Sequence, residues 1–126
     1  MSYNDHRPMS PHLQVYKLPL TAKLSIFHRA TGVALFAGLV LMVVVLYSLA
    51  TGEQNWQLMQ SFLSNWFGLL VLFGISFCLY YHLCNGIRHL FWDTGMLMEK
   101  QSFKTTGAMV IIISVLLTLL TWIIGY

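Results

Sequence analysis

The sequence predicts an all-α integral membrane protein with three transmembrane helices and an N-terminal interfacial segment. Hydrophobic residues make up 57% of the 126 residues, and charged residues make up only 9%. In soluble domains about a quarter of residues are charged. Three apolar segments are each as long as the roughly 20 residues that a spanning helix needs. The net charge of +3 is spread without a basic patch, so nothing indicates binding to nucleic acid.

The chain is expected to form a single membrane-anchor domain over residues 1–126. The predicted spans cover about 30–50, 66–91 and 105–126. Helices are expected because backbone polar groups in hydrocarbon must be satisfied internally. Residues 1–29 would form a cytoplasmic tail followed by an interfacial helix. Pro19 favours a helix start near Thr21.

The distribution of lysine and arginine predicts the orientation. Four basic residues precede the first span, the connection over 51–65 has none, and three surround the second connection: Arg88, Lys100 and Lys104. By the positive-inside rule the N-terminus is cytoplasmic and the C-terminus periplasmic. Residues 1–23 resemble neither a secretory signal nor a transit peptide, so we expect the inner (cytoplasmic) membrane of a bacterium.

A histidine lies deep in the second span. No formal charge occurs between Glu53 and Arg88, and His82 is within this stretch. An ionisable side chain at membrane depth is costly, so its default interpretation is functional. Histidine readily ligates haem iron. Gly86, one helical turn on, would leave room for a flat macrocycle. The pattern therefore favours His82 as an axial ligand of haem b, with the second ligand from another chain.

The haem propionates would extend toward polar groups near the cytoplasmic surface, namely His28, Arg29, Arg88 and His89. An alternative for His82 is a hydrogen bond to a neighbouring backbone or hydroxyl group, with no cofactor. Zinc is a weaker alternative, because Cys78 would add only a second ligand where zinc needs three or four.

A second polar group is predicted at the same membrane face. Ser25 and Arg29 lie at the cytoplasmic end of the first span, and Asp93 follows the second. A hydroxyl and a guanidinium there could hold the carbonyl head group of a quinone whose tail lies in lipid. Alternatively, Arg29 snorkels to lipid phosphate or pairs with Asp93, and Ser25 caps a helix turn.

Three segments together resemble the large cytochrome b subunit of succinate dehydrogenase. Residues 7–16 read Arg-Pro-Met-Ser-Pro-His-Leu-Gln-Val-Tyr. Residues 25–32 read Ser-Ile-Phe-His-Arg-Ala-Thr-Gly, and residues 82–93 read His-Leu-Cys-Asn-Gly-Ile-Arg-His-Leu-Phe-Trp-Asp. They occur in the order and three-helix layout of that family, so the resemblance covers essentially the whole chain.

The resemblance implies a role for each motif position. His82 matches an axial ligand of haem b, whose other ligand comes from the small membrane subunit. His28 matches a position near the haem propionates, with Arg88 and His89 beside it. The ubiquinone site and its polar network would involve Ser25, Arg29 and Asp93.

The implied function is that of the haem b-binding anchor of succinate dehydrogenase, respiratory complex II. FAD in a flavoprotein subunit and clusters in an iron–sulfur subunit would pass electrons from succinate to ubiquinone. This chain itself has neither a nucleotide-binding glycine motif nor a cluster-ligating cysteine set. Two alternatives are a fumarate reductase anchor and a structural membrane anchor without a cofactor.

Overall fold

The computed structural model describes residues 17–96 and 100–125. Their regular structure is helical throughout, in four helices: α1 Leu20–Ala50, α2 Glu53–Ser64, α3 Trp66–Asp93 and α4 Lys100–Gly125. Helix α1, helix α3 and Ser102–Gly125 of α4 are long and apolar enough to cross a membrane. The predicted all-α membrane class is therefore confirmed. The motif at residues 7–16 lies outside the described residues.

The interfacial lead-in and the first span form one continuous helix. Pro19 is extended, with ψ 156°, and α1 begins at the next residue. No break separates residues 20–29 from the span. An interruption there would leave backbone N–H and C=O groups unpaired at two additional helix ends.

The connection over 51–65, predicted only as a loop, is largely helical. Gly52 adopts φ 118°, which reverses the chain before Glu53 begins α2. Trp56, Met59 and Leu63 are half-buried at helical spacing, whereas their polar neighbours are exposed. The junction with α3 is tight, since a Cβ at Gly68 would overlap the α2 backbone. A 12-residue amphipathic helix is too short to span, so a search for long apolar runs does not find it.

Helix α3 packs against both α1 and α4. The apolar core is small and consists of Leu24, Tyr81 and Val110. The Tyr81 hydroxyl donates to Leu24 O at 2.9 Å, which joins α3 to α1. On α4, the buried hydroxyl of Thr118 bonds within its own helix. Small polar residues of this kind let membrane helices approach closely. Most large apolar side chains instead face outward, toward lipid or other chains.

Candidate cofactor site between α1 and α3

His82 lies against the backbone of α1. Its Nδ1 is 3.1 Å from the carbonyl oxygen of His28 and 3.2 Å from the hydroxyl oxygen of Thr31. A Cβ at Gly32 would lie only 3.2 Å from Cε1 of His82. The imidazole therefore occupies a recess that exists because residue 32 has no side chain. We call His28, Thr31 and Gly32 the His82 notch.

The hydrogen bonds of the notch indicate where the His82 proton lies. The Thr31 hydroxyl donates to His28 O at 2.8 Å, so its hydrogen is already used. Both oxygen atoms that face Nδ1 of His82 are then acceptors. Nδ1 must carry the proton, since a lone pair there would face two other lone pairs. This leaves Nε2 with the free lone pair that a metal ligand requires.

Three histidines cluster where α1 and α3 meet. The His28 and His82 rings stack with centroids 3.9 Å apart, and His89 lies 5.5 Å from His28. Nδ1 of His28 is buried without a hydrogen-bond partner among the described residues. An unpaired buried acceptor is less costly than an unpaired buried N–H. A neutral ring with its proton on Nε2 would leave Nδ1 as an unpaired acceptor, and Nε2 could then donate to an anionic group such as a carboxylate.

Arg88 lies on a different side of α3 from this cluster. Its Nη2 donates to Phe103 O and its Nε to Thr106 Oγ1, both at 3.0 Å. Its Nη1 donates to Asn85 Oδ1 at 3.3 Å, and its guanidinium carbon lies 4.1 Å from the ring centroid of Trp92. Only 4% of Arg88 is exposed. The structure thus packs Arg88 against α4 and does not bring it to the histidines.

The predicted quinone residues lie at one end of the protein, and within the described part of the chain no hydrogen bond joins them. Arg29 is exposed on α1, Ser25 is half-buried one turn earlier, and Asp93 is exposed at the end of α3. Asp93 lines a cleft of about 460 Å³ with Thr21, Trp92 and Phe103. Thr21 lies one turn before Ser25 on α1, but Ser25 itself does not line the cleft. No ion pair between Arg29 and Asp93 occurs in the described part of the chain.

Two contacts of His82 were not predicted from the sequence. Thr31 and Gly32 lie in the motif over residues 25–32, but neither was expected to contact His82. Helical spacing could have found both, because they lie three and four residues after His28. Within residues 17–96 and 100–125, no three His, Cys, Asp or Glu side chains converge to hold a metal. The site offers a metal one imidazole nitrogen, which suits a haem iron whose remaining ligands come from elsewhere.

Comparison with known proteins gives a family match. Residues 3–121 match the model of the succinate dehydrogenase/fumarate reductase transmembrane subunit. The chain is 42% identical to the succinate dehydrogenase cytochrome b556 subunit of Rickettsia felis, over 93% of this chain and 91% of that protein. It is 41% identical to the b556 subunit of Paracoccus denitrificans, over 96% and 93% respectively. The cytochrome b560 subunit of Reclinomonas americana is 36% identical, over 98% and 90%.

Proposed function

Since the chain belongs to the succinate dehydrogenase/fumarate reductase transmembrane subunit family and is a membrane anchor of that kind, we propose that His82 ligates haem b through Nε2. The observation that carries this proposal is the pair of acceptors at Nδ1, 3.1 and 3.2 Å away. In metal sites a histidine ligand usually donates its other ring N–H in this way. The second axial ligand would come from a small membrane-anchor subunit.

The groups around His82 fit a haem as well. His28 stacks on His82 and His89 lies beside His28, so both would be placed to donate to propionates, and Arg29 follows His28 on α1. Charge-assisted hydrogen bonds of this type are shorter and stronger than neutral ones. A bound haem b would supply one-electron oxidation and reduction. This chain's residues would hold the haem in place and exclude water from its apolar faces.

Ubiquinone is the proposed electron acceptor. The Ser25 hydroxyl and the Arg29 guanidinium would donate to a head-group carbonyl, and Asp93 would belong to the surrounding polar network. Electrons from succinate would arrive through FAD and iron–sulfur clusters in partner subunits. Two electrons and two protons convert the quinone to quinol.

The same proposal includes a location and an orientation. The complex would lie in the bacterial inner membrane, with the N-terminus cytoplasmic and the C-terminus periplasmic. The basic residues on either side of the spans support this orientation. The iron–sulfur and flavoprotein subunits would then dock on the cytoplasmic face.

A reduced-minus-oxidised optical spectrum of the purified complex tests the haem assignment. Wild type should show a b-type α band, and His82→Leu should lose or shift it. Leu83→Ala is the matched control, because this neighbouring side chain faces outward, is 53% exposed and should leave the band intact. No band in wild type, or an unchanged band in His82→Leu, would refute haem ligation by His82 and favour an anchor without haem.

The family also includes the transmembrane subunit of fumarate reductase. Measuring both directions on one preparation separates the two activities. Faster quinol-driven fumarate reduction than succinate-driven quinone reduction would assign the chain to the reverse reaction. We expect the opposite ratio, because the relatives reported above are all succinate dehydrogenase subunits.

A further inference from the structure

We propose that Thr31 is a positioning residue for His82, whose hydroxyl fixes the proton and the ring plane of the imidazole. This inference rests on the proposed ligation of haem iron by His82. It concerns a side chain that touches neither the iron nor quinone. Thr31 would act on the haem only through the electron density and orientation of the ligand.

The first step is the direction of the Thr31 hydroxyl. Thr31 is 5% exposed, so water cannot substitute freely for its partners. The hydroxyl donates to the carbonyl oxygen three residues earlier, His28 O, at 2.8 Å. Threonine in a helix commonly back-bonds in this manner, and the bond selects its rotamer. The remaining lone pairs of the hydroxyl oxygen are thereby available to Nδ1 of His82.

The second step is that Thr31 makes the one hydrogen bond of the notch that a substitution can remove, because it comes from a side chain. Among the described residues, its side chain is the only one that hydrogen-bonds His82. The other acceptor, His28 O, is a backbone atom of α1. Gly32 supplies space and no polar group. The choice of side chain at position 31 therefore decides whether Nδ1–H is shared between two acceptors or bonded to one.

The third step links this hydrogen bond to the ligand. Acceptors at the far ring nitrogen fix the tautomer and orientation of a ligating histidine and raise its basicity. A more basic ligand donates more charge to the metal, which favours the oxidised iron. Removing such an outer partner typically weakens metal binding about 10–100-fold. Because His28 O would remain, we expect an effect of about tenfold on haem retention, at the lower end of that range.

The test compares four variants in the assembled complex. Thr31→Val removes the hydroxyl while preserving the shape, and Thr31→Ser keeps the hydroxyl. Thr118→Val is the matched control, because Thr118 is also buried and its hydroxyl donates to Ser114 O, away from His82. Thr31→Ala is measured in parallel, so that the effect of losing the hydroxyl can still be measured if the valine variant does not assemble. Three quantities are measured. They are the midpoint potential of the haem, the electron paramagnetic resonance spectrum of its low-spin ferric form, and the rate at which haem is lost to a haem-binding protein added in excess.

We expect Thr31→Val and Thr31→Ala to raise the midpoint potential, alter the ferric spectrum and speed haem loss about tenfold. Thr31→Ser and Thr118→Val should match wild type in all three. Wild-type potential and haem retention in both hydroxyl-deleting variants would overturn the inference. Equal defects in Thr31→Ser would also overturn it, because they would indicate packing by the methyl group. The proposed haem ligation fails separately, if wild type has no haem or His82→Leu keeps its spectrum.

Discussion

The imidazole rings of His28 and His82 stack almost face to face, with 3.9 Å between centroids and 12° between planes. The stack connects α1 to α3 and limits rotation of the His82 ring. The same ring is hydrogen-bonded at Nδ1 to α1. The orientation of His82 is therefore set by α1, and changes in α1 should be detectable in the optical spectrum of the haem that His82 is proposed to ligate.

Gly32→Ala should disturb the haem without unfolding the anchor. The added Cβ would lie 3.2 Å from Cε1 of His82, closer than ordinary contact, so the ring must shift. Overpacking of this kind typically costs about 1–3 kcal/mol. We expect a reduced or shifted α band and faster haem loss, measured by optical spectroscopy of the purified complex.

Gly74→Ala is the matched control for this experiment. It makes the same substitution within a spanning helix, but its Cβ would meet no atom within 4 Å. Its spectrum should be that of wild type. If Gly32→Ala were equally silent, His82 would not occupy the notch in the assembled complex.

Arg88→Lys should destabilise the pairing of α3 with α4 and leave the haem spectrum unchanged. Lysine cannot reproduce a guanidinium that bonds Phe103 O, Thr106 and Asn85 at once. Hydrogen bonds to a charged group contribute about 1.5–3 kcal/mol each, and their loss should lower the thermal midpoint of the complex. Differential scanning calorimetry and the optical spectrum measure the two effects. A changed haem spectrum at unchanged stability would instead support the expectation that Arg88 serves the propionates.

The sequence predicted the all-α class and three long apolar helices, because long uncharged runs have one economical structure in lipid. It also drew attention to His82, since an ionisable residue at membrane depth stands out; the haem role of His82 stays a prediction. The sequence did not predict which helix, α1 or α4, packs against each face of α3. Arg88 and His89 are adjacent in sequence, yet Arg88 packs on α4 whereas His89 lies beside His28 of α1. The partner of each side chain depends on how the helices pack, which residue spacing alone does not give.

The proposed orientation can be tested by cysteine labelling in intact cells. Gln60→Cys on α2 should react with a membrane-impermeant maleimide, because the proposal places this helix in the periplasm. Thr94→Cys, at the opposite end of α3, should react only after the membrane is permeabilised. Both side chains are exposed, so differences in burial do not complicate the comparison. The native thiols are first removed with Cys78→Ala and Cys84→Ala, so that only the introduced cysteine can react. The opposite labelling pattern would show that the protein has the opposite orientation in the membrane.

Ser25→Ala and Arg29→Leu should impair ubiquinone reduction and spare succinate oxidation by an artificial acceptor. The first loses a hydrogen bond worth about 0.5–1.5 kcal/mol, so kcat/KM for ubiquinone should fall up to about tenfold. The second removes a charged donor and should cost roughly 10–100-fold. Lys23→Leu is the control, because it removes an exposed positive charge from the same end of α1. It should retain wild-type quinone kinetics if the Arg29 effect is local.

A fall in both quinone reduction and succinate oxidation by the artificial acceptor would indicate a loss of assembly. Unchanged quinone kinetics in both Ser25→Ala and Arg29→Leu would remove these residues from the site and leave Arg29 as a lipid-facing cation.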